Sequence, residues 1–147
     1  MLIATLSGIA LVSSIYIYET YFFTFSEIDR EFVQKGHGPV ISPTEKYAAN
    51  AYYEPFGGAA GGVNVWVEIT NNSEKDKVQI IYYSDAKSSF SMKWLDADTL
   101  YILNDEPNYP NSNRSIELKV GKEIYHENGL ACKSLLMKDD YETCYQD

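Results

Sequence analysis

Apolar residues follow two different patterns along this chain. From Met1 to Tyr18 there is no charged side chain, and Leu2, Ile3, Leu6, Ile9, Leu11, Val12, Ile15 and Ile17 leave no polar stripe between them. A helix that is apolar all round belongs in a core or a bilayer. Eighteen helical residues at ~1.5 Å each reach ~27 Å, close to the thickness of a hydrocarbon core. Glu19 follows, then Tyr21, Phe22, Phe23 and Phe25. Tyr16, Tyr18 and Tyr21 are placed to form an interfacial aromatic belt. The pattern predicts a transmembrane anchor helix over residues 1–25. Three other readings compete. A cleaved signal peptide needs a basic start and a small-residue cleavage site, yet no Lys or Arg precedes Arg30 and no Ala-x-Ala directly follows the apolar run. A lipoprotein needs an early Cys, and the first is Cys132. A buried helix of a soluble domain is usually shorter or amphipathic. The uncleaved anchor is the preferred reading.

Residues 26–40 read as a juxtamembrane helix and linker. Ser26 can cap a short helix to Gln34 with Ile28, Phe32 and Val33 near one face, and Gly36-His37-Gly38-Pro39 breaks it. Residues 41–147 then read as a β-rich domain. Strands are expected at Lys46 to Glu54, Val63 to Thr70, Val78 to Tyr83, Phe90 to Leu95, Thr99 to Leu103 and Ser115 to Val120. A last hairpin is expected to turn at Gly121-Lys122 into Glu123 to Tyr125. In Val63 to Thr70 the alternation puts Val63, Val65, Val67 and Ile69 on one face, with Asn64, Trp66, Glu68 and Thr70 on the other. Short turns favour antiparallel pairing. The expected fold class is mainly β: an N-terminal transmembrane helix followed by a small antiparallel meander or sandwich-like domain.

Composition narrows the functions. The formal charge is −9, with 12 Lys and Arg against 21 Asp and Glu, and no basic run occurs. Nucleic-acid binding draws its affinity from cations neutralising phosphates, so no nucleic-acid partner is expected. The 13 Tyr suit pleated, half-buried surfaces and wet interfaces. The flank after the helix is net acidic through Glu19, Glu27, Asp29 and Glu31 against Arg30. That favours a C-terminal domain outside the cytoplasm, single-pass at the cell membrane.

Ser42-Pro43-Thr44-Glu45-Lys46-Tyr47, Gly57-Gly58-Ala59, Ile81-Tyr82-Tyr83 and Trp94-Leu95-Asp96-Ala97-Asp98-Thr99 occur in an order that resembles a known family. It is a domain-of-unknown-function family of small membrane-anchored or lipoprotein-like proteins of Gram-positive bacteria. The resemblance covers roughly residues 42–102. It departs at Thr44-Glu45, where Asp-Gly is usual, and in the two Cys of the tail. It implies a fold and a location, and transfers no catalytic residue.

The candidate chemistry is sparse. Gly57, Gly58, Gly61 and Gly62 make a mobile hairpin loop that can serve as a contact surface; the loop lacks the Lys and the following helix of a phosphate cradle. Cys132 and Cys144 can close a disulfide outside the cytoplasm, or remain two thiols, or, least favoured, serve catalysis or a metal. Asp96, Asp98, Asp105 and Glu106 read as turn formers before calcium ligands. His37 and His126 read as exposed and idle. Trp66 and Tyr82 or Tyr83 are candidate exposed aromatics. No catalytic residue, metal or cofactor is expected. The expected function is a non-enzymatic module that binds a protein or envelope component. The alternatives are an immunity or inhibitor protein facing a basic toxin or hydrolase, and an envelope hydrolase with a tertiary carboxylate pair.

Overall fold

The computed structural model describes residues 2–25, 30–74 and 77–136. Helix α1 runs Leu2–Tyr21. Among the described residues nine strands follow: β1 (Gln34–Lys35), β2 (Val40–Ile41), β3 (Tyr47–Phe56), β4 (Gly62–Asn71), β5 (Val78–Asp85), β6 (Ser89–Trp94), β7 (Thr99–Asp105), β8 (Ile116–Lys119) and β9 (Tyr125–His126). Helix α2 (Leu130–Lys133) follows β9.

The strands form two sheets. The larger has the order β1-β3-β4-β5-β9, with β2 also paired to β3, and the smaller is β6-β7-β8. Mainly β and antiparallel is thus the observed class. One pairing departs from it: β9 lies parallel to β5, Tyr82 opposite Tyr125 and Tyr83 opposite His126. The last hairpin expected at Gly121-Lys122 does not form. After β8 the chain leaves the small sheet and joins the large one, because Ile124 and Tyr125 are apolar and buried there. The Tyr125 ring stacks on Tyr82 with centroids 5.2 Å apart.

The sheets share one core. Ala49, Ala51, Val65, Val67, Ile69 and Tyr82 from the large sheet join Met92, Leu100, Ile102, Ile116 and Leu118 from the small one. Aromatic contacts bridge the layers: Tyr47 stacks on Trp94, and the Tyr53 ring meets Phe90 edge-on, both at 5.9 Å. Trp94 Nε1 donates to the Val40 carbonyl at 2.9 Å, which ties β6 to β2. Inside the interface Asn104 Nδ2 donates to Tyr82 Oη at 2.8 Å and to the Asp85 carbonyl at 2.9 Å. The Lys87 amide returns a bond to Asn104 Oδ1 at 2.8 Å. A buried amide with its partners in place locks the registry of two layers without an unpaired polar group.

The simple in-out alternation expected of β4 fails over Val65 to Ile69, where every residue is buried. The reason is a second cover. Phe23 and Phe25, just past α1, sit in the core cluster, with Val33 packed against it. The face that period-two reasoning assigns to solvent is therefore partly roofed by the chain's own N-terminal segment. A bulge in β5 adds to this: Val67 faces Tyr82 and Glu68 faces Ile80, so Ile81 is the extra residue, and Ile80, Ile81 and Tyr82 are all buried.

The segment read as linker is also built in. Residues 30–34 hold a turn and the start of β1 rather than a helix; the Ser26 cap lies outside the described residues. The Gly36 amide donates to the Ala51 carbonyl, and the Ala51 amide donates to the His37 carbonyl, both at 2.8 Å. Gly36 is needed there, since a Cβ would lie 2.2 Å from the Tyr53 ring.

The hydrophobic N-terminus does form a helix. Among the described residues, however, no helix is long and apolar enough to cross a membrane. The Leu135 amide donates to the Tyr21 carbonyl, which ties the end of α1 to the segment after α2.

Candidate functional site

Strand register assembles one row of large side chains across the outer face of the large sheet. Lys35 lies opposite Tyr52, Tyr52 opposite Trp66, Trp66 opposite Tyr83, and Tyr83 opposite His126. Directly opposed residues project to the same face, so these five form a line from β1 to β9.

The β9 end of the line is closed. His126 is 3% exposed. Its imidazole meets Phe23 edge-on at 5.3 Å and stacks on Phe25 at 6.0 Å and Tyr83 at 4.9 Å. The Asn128 amide donates to His126 Nδ1 at 3.1 Å, so Nδ1 is unprotonated and Nε2 carries the proton. Burial among aromatic rings disfavours the cation and pushes the His126 pKa down to about 4, with Glu127 opposing. The expectation of an exposed His126 is therefore corrected: Ile124 to His126 turn inward onto the large sheet. Glu127 next to it is structural. It accepts from Ser84 Oγ at 3.0 Å, the Asp85 amide at 2.7 Å and Arg114 Nε at 2.8 Å. Burial raises its pKa, but the Asp85 amide and Arg114 outweigh that and hold it below the ordinary value.

The β1 end of the line is open. Arg30, Val33, Lys35, Tyr52, Trp66 and Glu68 line a cleft of about 280 Å³. Arg30 Nη1 donates to Glu68 Oε1 at 2.5 Å. Glu68 is almost buried, while the Arg30 side chain stays half exposed. The Tyr52 and Trp66 rings stack at 5.9 Å. The Tyr52 hydroxyl is held above its ordinary pKa by burial first and then by the Glu68 carboxylate, against Arg30. Trp66 Nε1 is buried without an acceptor. Further along the same line, burial and then the Glu54 carboxylate push the Tyr83 hydroxyl up to about 12.

Trp66 and Tyr82, expected as exposed aromatics, are both buried, and Tyr83 is half-buried. They sit on β4 and β5, central strands of the large sheet, and only edge strands and uncovered faces leave aromatics in water.

The predicted contact loop lies on the other side of β1. Phe32, Gln34, Pro55, Phe56, Gly57, Gly58, Gly61, Gly62 and Val63 line an open cleft of about 640 Å³. Phe32 is 69% exposed, and Phe56 and Val63 are exposed too. The glycines have local reasons. Gly57 has φ +75°, and a Cβ on Gly61 would lie 1.6 Å from the Phe56 carbonyl. Residues 32–35 thus alternate between two clefts: Phe32 and Gln34 face the hairpin, Val33 and Lys35 the Trp66 cleft.

The remaining expectations resolve more simply. Asp96 caps its turn, accepting from the Asp98 amide at 2.8 Å and the Thr99 amide at 2.7 Å; those bonds hold its carboxyl below the ordinary pKa. Among the described residues no cluster of His, Cys, Asp and Glu is arranged to hold a metal. Cys132 is half-buried in α2 and makes no disulfide among the described residues. Cys144 lies outside them, and the pairing expectation with it.

Sequence reasoning missed the Arg30–Glu68 pair and the burial of His126. The available signal was a charged residue at the centre of an otherwise apolar strand: Glu68 between Val67 and Ile69 demands a cation when both faces are covered.

These features define a class: a two-sheet β-domain whose N-terminal helix leads directly into a segment packed on the outer face. Residues 1–126 match DUF5412, a family of unknown function, and the chain belongs to that family. The match takes in α1 and both sheets and ends at His126, well beyond residues 42–102 on which the resemblance rests. No curated protein and no solved structure matches the chain.

Proposed function

We propose that the protein is a non-enzymatic binding module held at the cell membrane by α1, with its β-domain outside the cytoplasm. The observation that carries this reading is the exposure of the helix. Ile9, Leu11, Val12, Ile15 and Ile17 are each about half exposed or more. At ~100° per residue they point to all sides of the helix. Fully covering one such side chain is worth ~1.5–3 kcal/mol. A helix with these residues on every side is stable in apolar surroundings, and the β-domain does not provide them. Bilayer burial does, with Tyr16, Tyr18 and Tyr21 as interfacial residues.

The docking of Phe23 and Phe25 gives the tether a mechanical consequence. The domain does not hang from a loose linker, because the chain enters the core within two residues of the end of α1. The module therefore sits close against the membrane, and the clefts flanking β1 offer its partner-binding surface. Its partner is a protein or an envelope component. The −9 charge disfavours a nucleic-acid partner.

The test is fractionation of cells expressing the full chain, followed by protease treatment of intact cells. The chain is expected in the membrane fraction, uncut at its N-terminus, with the β-domain digested from outside. Recovery from the membrane fraction with the domain protected in intact cells, but digested after lysis, overturns the orientation.

A further inference from the structure

We propose that the cleft bounded by Arg30, Lys35, Tyr52, Trp66 and Glu68 binds a small ligand bearing a single carboxylate. The inference deepens the binding-module reading and does not depend on the membrane tether. Three donor-bearing residues line this cleft: Arg30, whose guanidinium is half exposed, Lys35, and Trp66, whose indole N–H is buried without an acceptor. The one carboxylate in the wall, Glu68, is engaged by Arg30. Two cations and one anion leave a net charge of +1, in a chain whose overall charge is −9.

That local charge selects the ligand. A carboxylate carries −1 and matches it. A phosphate monoester brings about −1.5 to −2 and would set its excess charge against Glu68. Planar carboxylates also suit the guanidinium fork. The orphaned indole points the same way. A buried donor without an acceptor costs ~1–3 kcal/mol, and such groups in native proteins call for a water, an ion or a ligand. An oxygen drawn in by Arg30 and Lys35 is the acceptor that Trp66 Nε1 lacks. Val33 and the Tyr52 ring, stacked on Trp66, offer an apolar wall for the body of the ligand. At about 280 Å³ the cleft is at the small end of ligand pockets.

The chain carries its own reporter and its own control. It has two Trp: Trp66 in the cleft, and Trp94, whose N–H is satisfied by the Val40 carbonyl at 2.9 Å. The experiment labels the indole nitrogens of the full chain in detergent micelles and titrates benzoate, benzamide and inorganic phosphate. Benzoate is expected to move the Trp66 indole resonance saturably and leave Trp94 in place. Benzamide and the Lys35→Met variant should each bind at least about tenfold more weakly, the loss of one charge-assisted contact. Lys35 lies exposed on the edge strand β1, and an unmoved Trp94 resonance in the variant certifies its fold. A Trp66 signal that stays still up to about 10 mM benzoate, equal shifts with benzamide, tighter binding of phosphate, or unchanged affinity in Lys35→Met overturns the proposal. None of these results bears on fractionation, so failure here is distinct from failure of the tether.

Discussion

His126 makes the fold sensitive to acid in a window that can be derived from its surroundings. Phe23, Phe25 and Tyr83 enclose the imidazole, and Asn128 fixes its neutral tautomer. In the unfolded chain the group takes up a proton near 6.5; in the folded chain it does so only near 4. Between those values the unfolded state binds more protons, so stability rises with pH. The contribution is complete above about 6.5 and is lost as pH falls through about 4. At ~1.4 kcal/mol per pH unit that gap is worth about 3 kcal/mol, a large part of a small domain's stability. The assay is urea unfolding of a fragment beginning at Tyr21, from about pH 7 down to about pH 4.5. It is compared with His126→Asn, whose amide oxygen can accept the Asn128 N–H but cannot titrate. The variant is less stable at neutral pH, having lost the ring contacts, and its unfolding free energy should fall less steeply across this window. Glu127 and Asp96, both held low, also lose their contributions in acid, but equally in both proteins. Parallel pH dependences for the two proteins would refute the enclosure of His126.

Three further outcomes follow from the same packing. Phe25→Ala removes a ring that is 4% exposed and should cost about 3 kcal/mol in urea unfolding; a change within the error of the measurement would deny that the post-helix segment docks. Arg30→Met leaves the Glu68 carboxylate nearly buried and unpaired, with an expected cost of about 1–2 kcal/mol because Arg30 itself is half exposed. Adding Glu68→Gln should recover part of it, and a double-mutant cycle with no coupling would contradict the pair. A fragment beginning at Gly36 lacks Phe23, Phe25 and Arg30, so it should unfold at lower urea than one beginning at Tyr21 and bind a hydrophobic dye that the longer fragment does not; equal behaviour of the two would remove the roof over β4.

What was legible in the sequence was local. The period-two runs located β3 to β8 closely: Val63 to Thr70 became Gly62–Asn71, and Phe90 to Leu95 became Ser89–Trp94. Asp96 announced its turn by residue type. The tertiary features were not legible. Alternation says which residues share a face, and not what covers that face, so Trp66 and Tyr82 read as exposed when the N-terminal segment and the small sheet cover them. Two-residue strands such as β1 and β9 are too short to show a period, and the parallel pairing of β9 with β5 joins residues about forty positions apart. The candidate site suffered most, because Arg30 and Lys35 each look like ordinary surface charges until β1 pairs with β3 and the two line one cleft with Glu68 and Trp66.

The most direct test of the tether is alkaline extraction of membranes from cells making the full-length chain. The exposed side chains of α1 predict that the uncut protein stays in the pellet after carbonate washing and leaves it only with detergent. Uncut chain recovered in the soluble fraction without detergent would show that the helix finds its apolar surroundings elsewhere, and would contradict the account.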